Sequence, residues 1–330
     1  QGITVTNNEY TGSVHKNGDD LAGKSITGSF NVYMRPPRGS DVPAADAYIP
    51  GRFLKAAKFS EVRTTSAIPA AAEALGVGST TNTAVLGTNA GSTDDLYKGM
   101  ALILSDIANT AYGKVSAVRS YEGSSKTATL MEKLGTAPAA NYQIPKQLSF
   151  QRSITEDDPP RLSLSFWFGG RRYDLVDFSV SGLRWNVPVS SRDGATQPMY
   201  EVSWTATIED YVDQDSPEVP AEGAVPLFKD GKFSVADVYV GGSSLVIDFG
   251  LRVAYPPDPN YADGSAPGEL VESKTTMTMD RQAYKKAKLD TIALAETGSQ
   301  HPVYAQWGYT SGNMVQIVCP DARFNYQNPQ

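Results

Sequence analysis

The chain has 330 residues and a formal net charge of −7, with 40% hydrophobic and 20% charged residues. This composition is ordinary for a globular protein and excludes general disorder and a coiled coil. The acidic excess argues against broad binding to nucleic-acid phosphates, and a single cysteine, Cys319, excludes an intrachain disulfide and a cysteine-based zinc site.

The N-terminal half alternates between β-strand patterns and one helical pattern. Phe30, Val32 and Met34 alternate with polar residues, which predicts a strand. Residues 51–59 predict a short helix, because Pro50 suits a helix start and Phe53, Leu54 and Ala57 would share one face.

From about residue 66 to residue 141 the sequence becomes rich in small and polar residues. Three strand-like runs follow within this segment, at residues 100–104, 113–121 and 126–131, before strands resume at residues 147–154. The pattern predicts a small β module inserted into the first domain.

The strongest periodic signal lies at residues 200–209. Tyr200, Val202, Trp204, Ala206 and Ile208 alternate with polar residues, which predicts a strand with one buried face. The same alternation predicts strands at residues 162–168, 245–253 and 315–319. These half-buried strands favour antiparallel sheets.

A second helix is predicted from Asp280, as its N-cap, through about Glu296, with Gly298 as its stop. Residues 209–222 are acidic and contain no basic residue, which predicts a linker. The predicted class is therefore mainly β, with two antiparallel sandwich or barrel domains in tandem, each flanked by about one helix, plus the inserted module. The predicted bounds are 1–65 with 145–215 for the first domain, 66–144 for the module, 216–224 for the linker and 225–330 for the second domain.

The residues that usually perform catalysis are scarce. The two histidines, His15 and His301, lie in a polar stretch and before a proline at a strand entry, and both fit surface or turn positions better than a catalytic base. Cys319 alternates with Val315 and Ile317, which favours a buried position over a nucleophile.

The acidic and glycine-rich segments also favour structural roles. Glu156, Asp157 and Asp158 precede two prolines and predict a hairpin tip rather than a pair of catalytic carboxylates. The segment from Asp258 to Glu269 resembles a calcium loop, but Ala262 occupies a ligand position.

Glycine pairs at 169–170 and 241–242 fall between strands and predict turns rather than phosphate-binding loops. Arg171–Arg172 and Lys285, Lys286 and Lys288 lack an accompanying ladder of aromatic residues, which disfavours nucleic-acid recognition. We expect no catalytic, cofactor-binding or metal-binding residue and no enzymatic activity, so the sequence favours a structural or assembly protein.

The segment from Val303 to Phe324, with its Gly312–Asn313 turn and Pro320, resembles the end of the major tail tube proteins of long-tailed bacteriophages. Similar resemblance is found in residues 245–253 with 277–281, in residues 24–32, and in residues 148–154 with 173–187. Residues 97–105 and 113–123 resemble small β modules of other phage structural proteins.

The resemblance implies a virion tail protein, assembled in the host cytoplasm, that forms stacked rings through which genomic DNA passes without specific binding. Its implied partners are further copies of itself, a tape measure protein, a tail terminator and distal tail or baseplate proteins, with no membrane and no cofactor. A trimer with pseudo-six-fold symmetry is expected from two tube domains, with a hexamer as the alternative. The inserted module is expected to face outward.

One other function stays the alternative, and a third, an enzyme, is disfavoured. A receptor- or carbohydrate-binding β-sandwich of a tail tip or cell surface would need an exposed aromatic platform, which Trp167 or Trp185 could supply. A glycosidase would use the carboxylates of residues 156–158 or Glu209 and Asp210.

Overall fold

The computed structural model describes most of the chain. The described residues are 3–5, 20–23, 25–37, 42–104, 115–153, 160–190, 194, 196–216, 225–229, 231–260, 265–266, 268–281, 285–310 and 313–325. The predicted linker at 216–224 lies outside these residues except for Ser216.

Twenty-two strands and two helices are found in the described residues. In chain order they are β1 (Ile3–Val5), β2 (Asp20–Gly23), β3 (Ser25–Tyr33), α1 (Ile49–Ala56), β4 (Phe59–Thr64), β5 (Ile68–Ala74), β6 (Thr83–Val85), β7 (Ala101–Leu104), β8 (Val115–Glu122), β9 (Thr127–Leu130), β10 (Asn141–Ile144), β11 (Gln147–Arg152), β12 (Leu162–Phe168), β13 (Arg171–Pro188), β14 (Met199–Asp213), β15 (Lys232–Val235), β16 (Val238–Tyr239), β17 (Gly242–Asp248), β18 (Leu251–Ala254), β19 (Glu269–Ser273), β20 (Thr276–Arg281), α2 (Thr291–Thr297), β21 (Gln300–Thr310) and β22 (Asn313–Arg323).

One six-stranded sheet, called the main sheet below, has the strand order β20-β17-β13-β14-β3, and β12 pairs with the first half of β13. A second, four-stranded sheet has the order β16-β15-β21-β22. The named strands pair antiparallel throughout the described residues. The predicted mainly β, antiparallel fold class is thus confirmed.

One hydrophobic core joins the main sheet to the four-stranded sheet. Val202 and Ile247 come from the main sheet, and Val303 and Trp307 come from the four-stranded sheet. Helix α1 adds Phe53 to the same core. Burying these side chains is the principal stabilising contribution available to a chain without disulfides.

The predicted first and second domains contribute strands to the same main sheet. Strands β3, β13 and β14 come from the first predicted domain, whereas β17 and β20 come from the second. The proposed domain bounds stay a prediction, but the two segments share one sheet and one core in this structure.

The segment predicted to form an inserted module contains a six-stranded sheet of its own, with the order β5-β10-β7-β8-β9-β6. It has a separate hydrophobic core that includes Leu102, Val118 and Tyr142. Strands β4 and β11 pair at its base, with Thr64 opposite Gln147. The chain therefore enters and leaves the module through adjacent strands.

The first predicted helix is confirmed with shifted bounds. Helix α1 covers Ile49–Ala56 instead of residues 51–59, and Pro50 lies in its first turn. Lys58 adopts a positive φ of 67° and Phe59 begins β4, so the last predicted turn belongs to a strand.

The start predicted for the second helix is wrong. Helix α2 covers only Thr291–Thr297, with Asp290 rather than Asp280 as its N-cap. Asp280 lies in β20 because residues 276–281 pair with β17, and this pairing competes with the helical pattern. Gly298 ends the helix in a left-handed conformation, as predicted.

The strand predicted at residues 245–253 is divided into two. Strand β17 ends at Asp248 and β18 begins at Leu251, with Gly250 at a positive φ of 52° between them. Strand β17 belongs to the main sheet, whereas β18 pairs with β19. The alternation of apolar residues continues across the break, so the pattern alone did not reveal it.

Candidate functional surface

The residues singled out by catalytic reasoning do not form a shared site in the described part of the chain. His301 lies at the start of β21, where its Nε2 is 2.8 Å from the Ser299 hydroxyl. Cys319 lies in β22, packs against the main core, and has its thiol pKa raised by burial. His15 lies outside the described residues.

The acidic candidates are also separated or exposed. Glu209 and Asp210 are exposed on β14, while Glu156, Asp157 and Asp158 lie outside the described residues. Asp258 accepts hydrogen bonds from the backbone and side-chain nitrogens of Asn260, and Ala262 of the proposed calcium-like loop is not described. The described residues contain no group of three or more acidic, histidine or cysteine side chains suited to a metal.

The two tryptophans considered as a carbohydrate platform, Trp167 and Trp185, are only partly exposed. Trp185 stacks with Phe59 and contacts Tyr200 and Phe249, and it is packed against the main core. The indole nitrogen of Trp167 is buried without a hydrogen-bond partner.

Gly169 and Gly170 form the predicted turn between β12 and β13, each with positive φ.

The face of the main sheet that points away from the core is polar. Residues that oppose one another in register share a face, and on this face Asn31, Glu201, Arg184, Asp248 and Thr276 form one row across all five strands. The neighbouring positions on the same face are Thr27, Ser29, Tyr33, Met199, Ser203, Thr205, Gly182, Asn186, Ser244, Val246, Thr278 and Asp280. We call this set the polar face.

The charges of the polar face are mostly negative. It carries three carboxylates, on Glu201, Asp248 and Asp280, and one cation, Arg184, whose guanidinium lies 3.8 Å from the Glu201 carboxylate. No lysine occurs among its residues. Hydroxyl, amide and carboxylate groups offer little attraction to a phosphate backbone.

Both ends of the five-strand order are open edges. Strand β3 pairs with β14, and β20 pairs with β17, and neither strand has a second partner within the described residues. An open edge presents unpaired backbone N–H and C=O groups that another strand can bind.

Strands β12, β13 and β14 continue past the ends of β3 and β17 as a segment that we call the arm, whose base packs against the main core through Leu175 and Phe178. Its residues are 162–178 and 208–213, which pair with one another but with neither β3 nor β17. The rings of Phe166 and Tyr173 stack with centroids 4.9 Å apart, and those of Tyr173 and Tyr211 stack at 6.3 Å. This ladder holds the arm in one shape, because each ring restricts the next.

A buried polar cluster joins the module to the four-stranded sheet. The Lys232 ammonium lies 2.8 Å from the Glu132 carboxylate and donates a 2.7 Å hydrogen bond to the Val115 carbonyl. The Tyr239 hydroxyl donates to the other Glu132 oxygen at 2.5 Å. The side chains of Lys232 and Glu132 are 3% and 0% exposed.

Two tyrosines of the four-stranded sheet, Tyr239 and Tyr304, lie beside the ion pair. Gln316 donates to the Tyr304 hydroxyl at 2.8 Å. Burial and the Glu132 carboxylate raise the pKa values of Tyr304 and Tyr239, so both phenols stay neutral in ordinary buffers. The four-stranded sheet therefore packs one face against the main core and the other against the module, where Ala117 and Met131 form a small apolar cluster with Tyr304 and Val318 beside the ion pair.

Sequence reasoning missed both the aromatic ladder and the buried ion pair. Alternation placed Phe166 on a strand, but only the register brings it beside Tyr173 and Tyr211. Glu132 and Lys232 are 100 residues apart, and isolated charges in a sequence indicate an exposed position.

Comparisons with known proteins identify no relative. No family model matches the chain, and neither a curated protein nor a solved structure matches it. In the described part of the chain, neither helix combines the length and apolar character needed to span a bilayer.

Proposed function

We propose that this chain is a self-assembling virion protein whose rings stack into the tube of a phage tail. The observation that carries the proposal is the main sheet, which has one face in the core, a polar face left uncovered in the single chain, and open edges at β3 and β20. Pairing of one copy's β20 with the next copy's β3 would extend the sheet from chain to chain.

In such a ring the polar face lines the channel. Its hydroxyl, amide and carboxylate groups suit a wall that genomic DNA passes without binding, since a lysine-free and mostly acidic surface repels phosphates. This function needs no catalytic group, cofactor or metal.

The module then lies on the outside of the ring. The four-stranded sheet contacts the main core with one face and the module with the other, so the module and the polar face lie on opposite sides of the tube domain. This arrangement supports the expectation that the module faces outward.

We propose six copies per ring instead of the trimer favoured by the sequence. The trimer depended on two tube domains in each chain, whereas the two halves of this chain share one main sheet and one core. Within the virion, the tape measure protein, the tail terminator and the distal tail or baseplate proteins are the proposed partners, with assembly in the host cytoplasm.

Light scattering and negative-stain microscopy of the purified full-length chain test the proposal. We expect rings or tubes, and a protein that stays monomeric across a wide range of concentration and salt would contradict it.

Cysteine crosslinking tests the edge pairing and counts the copies. In a Cys319→Ser background, one cysteine is placed at Thr27, Ser29 or Asn31 and another at Thr276 or Thr278. We expect at least one pair to form a disulfide ladder between chains that ends at six, while each single-cysteine variant gives no ladder beyond two. A ladder ending at three would instead support the trimer.

A receptor- or carbohydrate-binding module is the second candidate. Phe168 and Tyr211 are 75% and 57% exposed on the arm, and exposed aromatic rings suit stacking against sugars. Binding of the monomer to a glycan array, lost in a Phe168→Ala and Tyr211→Ala variant, would favour this function over the tube.

A further inference from the structure

The tip of the arm carries an exposed apolar surface beside an excess of acid. Phe168 and Tyr211 are largely exposed, and Val212 is 36% exposed next to them. The arm and the three residues after β14 contain two arginines and six carboxylates. Arg171 and Arg172 are already paired with Asp213 and Asp174, while Glu209 and Asp210 remain exposed.

The opposite end of the main sheet carries the reverse charge. Strand β13 runs from the arm at Arg171 to Pro188, β17 pairs with its far half, and β20 pairs in turn with β17. Strand β20 ends at Arg281, beyond that far half, and the exposed Lys285, Lys286 and Lys288 follow within a few residues. The Lys286 ammonium lies 3.3 Å from the Asp290 carboxylate, and the cations still outnumber the carboxylates of this segment.

This basic end also has an exposed apolar surface. Tyr33, at the far end of β3, is 44% exposed, and the Arg35 guanidinium lies 5.8 Å from its ring centroid. Ile49 is 61% exposed, and the hydroxyl of its neighbour Tyr48 donates to the Arg35 carbonyl at 2.5 Å. Aromatic and aliphatic side chains thus accompany the charges at both ends.

We propose that the arm tip of one copy docks on the basic end of a second copy in the adjacent ring. The inference rests on the proposed function and identifies the partner of the arm as another copy of this chain. Complementary charge guides the encounter and fixes the polarity, because acid meets base only in a head-to-tail arrangement. The exposed rings of both ends supply apolar area that docking would bury.

Reversing the charge of one end tests the proposal. The variant Glu209→Lys with Asp210→Lys should still form rings, but its tubes should be at least tenfold shorter than those of the unaltered protein. Lys285→Glu with Lys286→Glu should do the same. All four changes in one chain should restore tubes, since the attraction is then re-established with opposite signs.

A matched control uses two exposed carboxylates elsewhere, Glu269→Lys with Glu272→Lys on β19, which should leave tube length unchanged. Thermal unfolding of each variant verifies that the fold is retained. Tube length should also fall in about 1 M salt, where exposed charges are screened within about 3 Å.

The outcomes separate the two proposals. If the unaltered protein forms no ring, the proposed function fails. If both charge-reversed variants form tubes as long as those of the unaltered protein, the tube function stands and the docking proposal is overturned. Failure of the fourfold variant to restore tubes, with its fold intact, would also overturn it, as would glycan binding by the arm without any effect on stacking.

Discussion

At the scale of single residues, the ion pair between Glu132 and Lys232 is the feature with the largest expected effect on stability. Both side chains are almost fully buried, and the same carboxylate accepts from Tyr239. Removing one partner of such a pair leaves an uncompensated charge away from water, which costs more than the intact pair contributes.

We predict that Glu132→Gln lowers the free energy of unfolding by about 3–5 kcal/mol. Glu132→Gln combined with Lys232→Met should recover most of that loss, because no buried charge remains. Urea denaturation measures both. The control is Glu272→Gln, in the exposed pair with Arg252, which should change stability by less than about 1 kcal/mol; equal losses in the two single variants would contradict the prediction.

Glu73 gives the module a dependence on acid. Burial acts to raise the pKa of its carboxyl, but hydrogen bonds from Tyr142, Thr88 and Asn89 outweigh it and hold the pKa below 4.5. A carboxyl with a depressed folded pKa contributes stability above its unfolded pKa and loses that contribution as the pH falls through the folded value.

We therefore predict that the melting temperature of the unaltered chain falls more steeply than that of Glu73→Gln as the pH decreases below about 4.5. At pH 7 the variant should be the less stable of the two. Circular dichroism melts across this range provide the measurement, and parallel curves for the two proteins would exclude the proposed role of Glu73.

At the scale of elements, the period-two alternation predicted where strands occur, but it did not predict the residues at which they begin and end. The pattern at residues 200–209 corresponds to β14, which continues to Asp213. In contrast, β20 occupies part of the predicted second helix, because pairing with β17 satisfies its backbone groups. Which strands pair across long separations is decided by the tertiary fold, so the shared main sheet could not be predicted from local patterns.

Gly250 lies at a strand break that the alternation of apolar residues at 245–253 does not reveal. Its φ is positive, and a Cβ at this position would lie 2.4 Å from the Lys274 carbonyl oxygen. We predict that Gly250→Ala lowers the free energy of unfolding by more than about 1 kcal/mol. Gly135→Ala is the control, since nothing lies within 4 Å of its Cβ position; chemical denaturation of both variants tests the difference.

At the scale of the whole molecule, the module is built as an insertion that can be removed. Thr64 and Gln147 face each other in register at its base, so a two-residue turn can join them. Its own core is separate from the main core, and its contact with the four-stranded sheet is small, combining the Glu132–Lys232 ion pair with an apolar cluster of Ala117, Met131, Tyr304 and Val318.

We predict that replacing residues 65–146 by Asn-Gly leaves ring formation intact. Lys232 and Tyr239 would then face solvent, so the Lys232 ammonium would be hydrated and would not be left buried without its partner Glu132. Electron microscopy of the shortened chain should show narrower rings with an unchanged channel. Rings that fail to form, from a shortened chain that melts cooperatively, would place the module within the assembly contacts.

The number of strands in the five-strand order has a consequence for symmetry. Because five antiparallel strands alternate in direction, the edge strands β3 and β20 run the same way. Copies repeated around an axis along the strands would therefore meet in a parallel junction, with slanted and evenly spaced hydrogen bonds, inside an otherwise antiparallel wall. A two-fold dimer that joined β3 to β3 would instead be antiparallel at that junction. Because the number of strands is odd, the backbone hydrogen-bond pattern at the junction between copies distinguishes a closed ring, which gives a parallel junction, from a two-fold dimer, which gives an antiparallel one.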